Sequence, residues 1–121
     1  MKRLLIGFIA LLTFSGVYAD TLTGKVVKVA DGDTVTVLIE GNKQERVRLA
    51  GIDAPERKQA YGKKSKTFLS DRVAGQRVSV TYEKKDRYGR IVGVVWLDDK
   101  DINLEVINAG LAWHYKQYQR E

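Results

Sequence analysis

The chain has 121 residues, 21 of them basic and 15 acidic, for a formal net charge of +6, and it contains no cysteine. That length leaves no room for a second domain of ordinary size, and the lack of cysteine excludes disulfides and thiolate metal centres, so packing and bound ligands must stabilise the fold. The positive balance favours an anionic partner without specifying which.

Met1-Lys2-Arg3 precede an apolar stretch over residues 4–14 and the small-residue run Ser15-Gly16-Val17-Tyr18-Ala19. This is the pattern of an export signal, with cleavage expected after Ala19. The apolar run is shorter than the roughly 20 residues that cross a bilayer, so a membrane anchor fits less well. The expected domain is therefore residues 20–121, with its charge lowered to +4 by loss of Lys2 and Arg3. It is expected to be periplasmic or extracellular, with no stable membrane association after cleavage.

Residues 24–30, GKVVKVA, and 34–40, TVTVLIE, predict two strands joined at Asp31-Gly32, a strong hairpin signal between β-branched runs. A third strand, ERVRLAGI over 45–52, follows the turn residues Gly41-Asn42 and completes an antiparallel meander that Pro55 ends. Over 58–74 the period changes: Tyr61, Ser65, Phe68, Leu69 and Val73 recur at helical spacing, Lys63, Lys64 and Lys66 form the polar face, and Gly75 is a helix stop. Strands are predicted again over 76–83, QRVSVTYE, and 90–97, RIVGVVWL, flanking the polar loop KKDRYG. A short helix capped by Asp101 then carries Ile102, Val106 and Ala109 on one side and ends at Gly110. The predicted class is mainly β with helices (α+β): a five-stranded OB-fold barrel with one inserted amphipathic helix and a short C-terminal helix.

Several polar residues interrupt these apolar elements. Asp31 and Asp33 sit at the first hairpin, Arg48 lies inside the third strand, Asp53 and Glu56 follow its end, and Arg87, Tyr88 and Arg90 lie around the last loop. Carboxylates that converge repel one another unless a cation neutralises them, and oxygen donors without thiols suit a hard ion, Ca²⁺ or Mg²⁺. Phosphodiester hydrolysis uses such a site: the metal polarises a phosphoryl oxygen, a carboxylate positions or deprotonates water, and arginines stabilise the developing charge. Spacing alone also fits a plainer account, with Asp31 and Asp33 shaping a turn and Arg48 forming an exposed ion pair. The sole histidine, His114, has no second histidine or cysteine with which to hold a transition metal.

The ordered set DGDT (31–34), VRLAGIDAPE (47–56), DRYGR (86–90) and NLEVINAGLA (103–112) closely resembles the staphylococcal nuclease family over about residues 24–118. The resemblance implies an OB-fold enzyme that hydrolyses DNA and RNA, preferably single-stranded, with Ca²⁺ and little sequence specificity, acting as a monomer. By motif position it implies that Asp33 and Asp53 bind the metal, together with the main-chain carbonyl of Ala54. Glu56 matches the catalytic glutamate, which orients or deprotonates water, and Arg48 and Arg90 match the phosphate-binding arginines. Arg87 and Tyr88 would contact a neighbouring phosphate, and Tyr115 and Tyr118, with Trp113, resemble an aromatic segment alongside the bound nucleotide, where stacking contributes about 1–3 kcal/mol per base.

Relatives usually continue from that segment into a further helix, whereas these residues end at Glu121. Two other readings of the chain stand beside the nuclease. One is a non-catalytic OB-fold module that holds single-stranded nucleic acid by basic and aromatic contacts. The other is a shortened product that folds poorly for want of the last helix.

Overall fold

The computed structural model describes residues 20–54, 61–110 and 112–114. Strands β1 (Asp20–Asp31), β2 (Thr34–Ile39), β3 (Lys43–Leu49), β5 (Arg77–Lys85) and β6 (Ile91–Leu97) form one sheet, with the two-residue β4 (Ile52–Asp53), β7 (Lys100–Asp101) and β8 (Trp113–His114) at its margins. Helix α1 (Gly62–Val73) lies between β4 and β5, and helix α2 (Ile102–Asn108) follows β7.

Neighbours in the order β3-β2-β1-β5-β6 pair antiparallel, and β3 then pairs with β6 in parallel through Val47↔Ile91, Arg48↔Val92 and Leu49↔Gly93. That last pairing closes the sheet into a five-stranded barrel, as the OB-fold expectation requires, and removes the open edges that invite aggregation. Inward-facing Val26, Val35, Val37, Val47, Val80 and Val95 are almost wholly buried, so the period-2 valine pattern is the barrel's core. Ser65, Leu69 and Val73 of α1, with Ile102 and Val106 of α2, are buried against it. Across the two helices, Arg72 Nε and Nη2 donate to Glu105 at 2.6 and 3.0 Å, a bidentate clamp.

Some boundaries differ from the sequence expectation for identifiable reasons. Asp31 pairs with Thr34, so the first turn is Gly32-Asp33 rather than Asp31-Gly32. Gly32 is needed there for close approach: a Cβ would lie 2.8 Å from Ser65 Cβ and 2.9 Å from Ala54 Cβ. The third strand stops at Leu49, because Gly51 at φ 76° turns the chain and Ile52–Asp53 forms a separate ladder with Trp113–His114. Tyr61 is not on the buried stripe of α1; it precedes the helix at φ 68° and is 65% exposed. The start of the predicted helix, at residues 58–60, lies outside the described residues. Strand β7 went unpredicted because its hairpin uses Asp98-Asp99, both at positive φ, in place of a glycine-containing signal.

One buried polar side chain stitches the closure. Asn103 Oδ1 accepts from the Val95 N–H at 3.1 Å, while Nδ2 donates to the Ala50 and Gly93 carbonyls at 3.0 and 3.2 Å. Asn103→Leu keeps the volume but orphans the Val95 N–H and the Ala50 carbonyl, while the Gly93 carbonyl keeps the Ala50 N–H at 2.8 Å, so it is expected to lower the unfolding free energy by about 3 kcal/mol, at about 1–3 kcal/mol per unpaired buried group. The urea midpoint checks this, and a loss below about 1 kcal/mol contradicts the assignment.

Candidate active site

Closure of the barrel gathers the interrupting polar residues at one end. Asp33, 7% exposed, is the second residue of the β1–β2 turn, and its carbonyl accepts from the Leu49 N–H at 2.8 Å, which fixes the turn against the end of β3. Its carboxylate accepts from Thr34 Oγ1 at 3.0 Å on one oxygen and from the Ala54 N–H at 3.0 Å on the other. Arg48 stands opposite Thr34 on β3. Its Nη1 lies 3.4 Å from Asp33 Oδ2 and its Nη2 3.5 Å from Asp53 Oδ1. Nη1 also donates to the Leu49 and Ile52 carbonyls at 3.2 and 3.0 Å, so one guanidinium joins two carboxylates and both ends of the turn between β3 and β4.

The site is crowded with negative charge. Burial first, then hydrogen bonding to Asp33 and repulsion from it, push the Asp31 carboxyl up from 3.8 to about 6. Asp31 Oδ1 also accepts from the Asp33 N–H at 3.2 Å and so helps to shape the turn. The donors available here are carboxylate oxygens, which suit a hard cation and not a soft one. Among the described residues no cluster of three or more acidic, histidine or cysteine side chains is close enough to hold a metal by itself. A shell of 6–8 oxygens around Ca²⁺ would therefore draw on Asp33, Asp53, main-chain oxygens and water. With that addition the residues fit the ion the resemblance implies.

Arg90 reaches the same end from the loop between β5 and β6. Asp86 organises this loop: its Oδ1 accepts from the Tyr88 and Arg90 N–H groups, both at 2.9 Å, and its Oδ2 from Arg90 Nε at 2.8 Å. Burial pushes Asp86 upward, but these hydrogen bonds and the Arg90 charge outweigh it and hold the carboxyl below its ordinary value. Arg48 and Arg90 line one cleft of about 260 Å³ together with Lys84, Lys85 and Asp86. Beside it the Tyr88 ring, 59% exposed, has the Arg87 and Arg90 guanidinium carbons 5.3 and 5.4 Å from its centroid.

Asp33, Asp53, Arg48 and Ala54 are thus brought together, and Arg90, Arg87 and Tyr88 form the adjoining wall. Glu56, Tyr115 and Tyr118 lie outside the described residues. The backbone of Trp113 pairs directly with Asp53, which brings the start of the aromatic segment to the carboxylate site. Sequence reasoning missed two residues. Asp86 is the Asp that opens a tight polar turn closed by Gly89 at φ 81°, a signal legible in DRYGR. Arg46 donates from Nη2 to the Tyr88 carbonyl at 2.7 Å, a contact 42 residues apart in sequence that no local pattern announces.

Comparison with known proteins points to one family. The family model described as staphylococcal nuclease homologue matches residues 46–121. An uncharacterized endonuclease of Haemophilus influenzae is 52% identical over 82% of this chain and 56% of its own length. The micrococcal nuclease of Shigella flexneri is 43% identical over 78% of this chain and 59% of its own, and the thermonuclease of Staphylococcus hyicus 39% identical over 78% and 60%. The chain spans a little over half the length of these curated relatives.

The Asp86 turn has a pH signature. Because its folded pKa is depressed below 3.8, its contribution to stability is complete above that value and is lost as pH falls through the lower, folded value. Asp86→Asn is therefore expected to lower the melting temperature at pH 7 and to differ progressively less from the parent protein below about pH 4. A melting difference that stays constant from pH 7 to pH 3 contradicts this role.

Proposed function

The chain belongs to the staphylococcal nuclease family, and on that footing we propose that it is a calcium-dependent nuclease, hydrolysing phosphodiester bonds of DNA and RNA, preferably single-stranded, with little sequence specificity. The observation that supports this most is Arg48. One guanidinium lies within ion-pair distance of the Asp33 and Asp53 carboxylates and lines the same cleft as Arg90. A hard cation and a phosphate are thereby provided for side by side.

In this proposal Asp33, Asp53 and the Ala54 carbonyl hold calcium, which when bound supplies polarisation of a phosphoryl oxygen. Arg48 and Arg90 donate to the non-bridging phosphate oxygens and stabilise the charge that builds there. Asp86 takes Arg90 Nε and so sets the direction in which the remaining guanidinium donors point. Glu56 removes a proton from the attacking water as its oxygen bonds to phosphorus, and the ester oxygen leaves as an alcohol once protonated. Arg87 and Tyr88 contact the adjoining nucleotide, and Tyr115 and Tyr118 stack on bases. Export to the periplasm or medium, which the pattern of residues 1–19 supports, belongs to the same proposal.

Incubation with heat-denatured DNA in calcium tests the reading. The protein is expected to cleave it, and Glu56→Gln is expected to lower turnover by about 10²-fold or more, the usual yield of a general base, with an unchanged circular dichroism spectrum. Unchanged turnover removes Glu56 from the mechanism. A folded parent protein that binds the DNA and leaves it whole points to a binding module.

A further inference from the structure

Arg46 and Arg48 occupy alternate positions of β3 on the barrel's outer face, since Val47 and Leu49 between and beyond them are fully buried. They therefore stand about 7 Å apart along the strand. Arg46 is exposed, and among the described residues no carboxylate lies within ion-pair distance of it. Its described partner is the neutral Tyr88 carbonyl, at 2.7 Å through Nη2 alone. The positive charge is consequently held in place without being neutralised. An open concavity of about 400 Å³ is lined by Arg46, Tyr88 and Arg90, and Arg90 also lines the cleft it shares with Arg48. The two depressions thus adjoin at Arg90, which stands between Arg48 and Arg46 on a cationic track with an exposed aromatic ring on its wall.

We propose that Arg46 is a substrate-binding residue that extends the phosphate groove by one further subsite, taking a phosphodiester of a single-stranded polynucleotide one or more nucleotides away from the bond at Arg48 and Arg90. The assignment rests on the nuclease reading for the identity of its ligand. Its bond to the Tyr88 carbonyl holds the guanidinium on the track through one Nη2 hydrogen, which leaves the other N–H donors to serve the phosphate. Arginine in this place lengthens the preferred substrate and leaves the chemical step untouched.

Two variants separate this from a merely structural role. Arg46→Gln keeps a donor for the Tyr88 carbonyl and removes the charge, whereas Arg46→Lys keeps the charge. Binding of fluorescein-labelled octathymidylate is measured by anisotropy in EDTA at several salt concentrations, and cleavage of the octamer and of a thymidine dinucleotide with one phosphodiester is measured in calcium. Arg46→Gln is expected to weaken octamer binding several-fold and to flatten the slope of log affinity against log salt by about 0.7, the value of one lost phosphate contact on a single strand. It should raise KM on the octamer, leave kcat/KM on the dinucleotide within about twofold of the parent, and be largely rescued by Arg46→Lys. Equal affinity and slope for parent and Arg46→Gln overturn the subsite. Equal losses of kcat on dinucleotide and octamer also overturn it, because Arg46 would then act through the Tyr88 loop. A parent protein that binds the octamer but never cleaves it overturns the nuclease reading alone, and the anisotropy slopes then decide the role of Arg46.

Discussion

The placement of the Arg48 guanidinium between two carboxylates governs the site. It comes from β3, Asp33 comes from the β1–β2 turn and Asp53 from β4, so three separate stretches of chain meet on one planar group. The Arg48 side chain is only 12% exposed, which makes its charge costly to leave unpaired. Removing one partner of a buried pair typically costs about 3–5 kcal/mol, because the other charge is then stranded. The carbonyls of Leu49 and Ile52 take the same Nη1 group, and this ties the turn after β3 to the electrostatics of the site.

That meeting depends in turn on barrel closure. The parallel pairing of β3 with β6 sets Arg48 beside Val92, close to where the Asp86–Arg90 loop enters β6. The Asn103 side chain binds main-chain groups of Ala50, Gly93 and Val95, fastening α2 to the seam. Gly32 lets the Asp33 turn sit directly on Ser65 and Ala54, where any Cβ would collide. A packed valine core therefore carries a candidate site built from turns and strand termini, in keeping with the tendency of rigid scaffolds to position chemistry on their loops. The same closure lines up Arg46, Arg48 and Arg90 as one positive track.

The barrel was legible because its signals are local. The valine-rich run of β1, the alternating valines of β2 and β5, the Asp101 cap and the glycine stop at Gly75 each act over a few residues, and each appears where expected. Asp33, Asp53, Arg48 and Arg90 stood out as charges interrupting apolar strands, and four ordered motifs gave them roles by resemblance. What the sequence could not convey was long-range. The Arg46 contact with Tyr88, the pairing of β4 with β8 and the approach of Ala54 to Asp33 all join residues brought together by closure alone. Among the described residues two carboxylates meet on Arg48, with Asp31 set behind them in the turn.

The proposed hard-cation site consists of Asp33 and Asp53, held apart and oriented by Arg48. Calorimetric titration of the protein with CaCl₂ tests it most directly, comparing the parent chain with Asp33→Asn and Asp53→Asn at equal foldedness by circular dichroism. One saturable calcium site is expected in the parent, with affinity lowered at least about tenfold in each variant, as the loss of a charged ligand implies. Calcium binding of unchanged affinity in both variants would contradict it and place the cation elsewhere on the barrel.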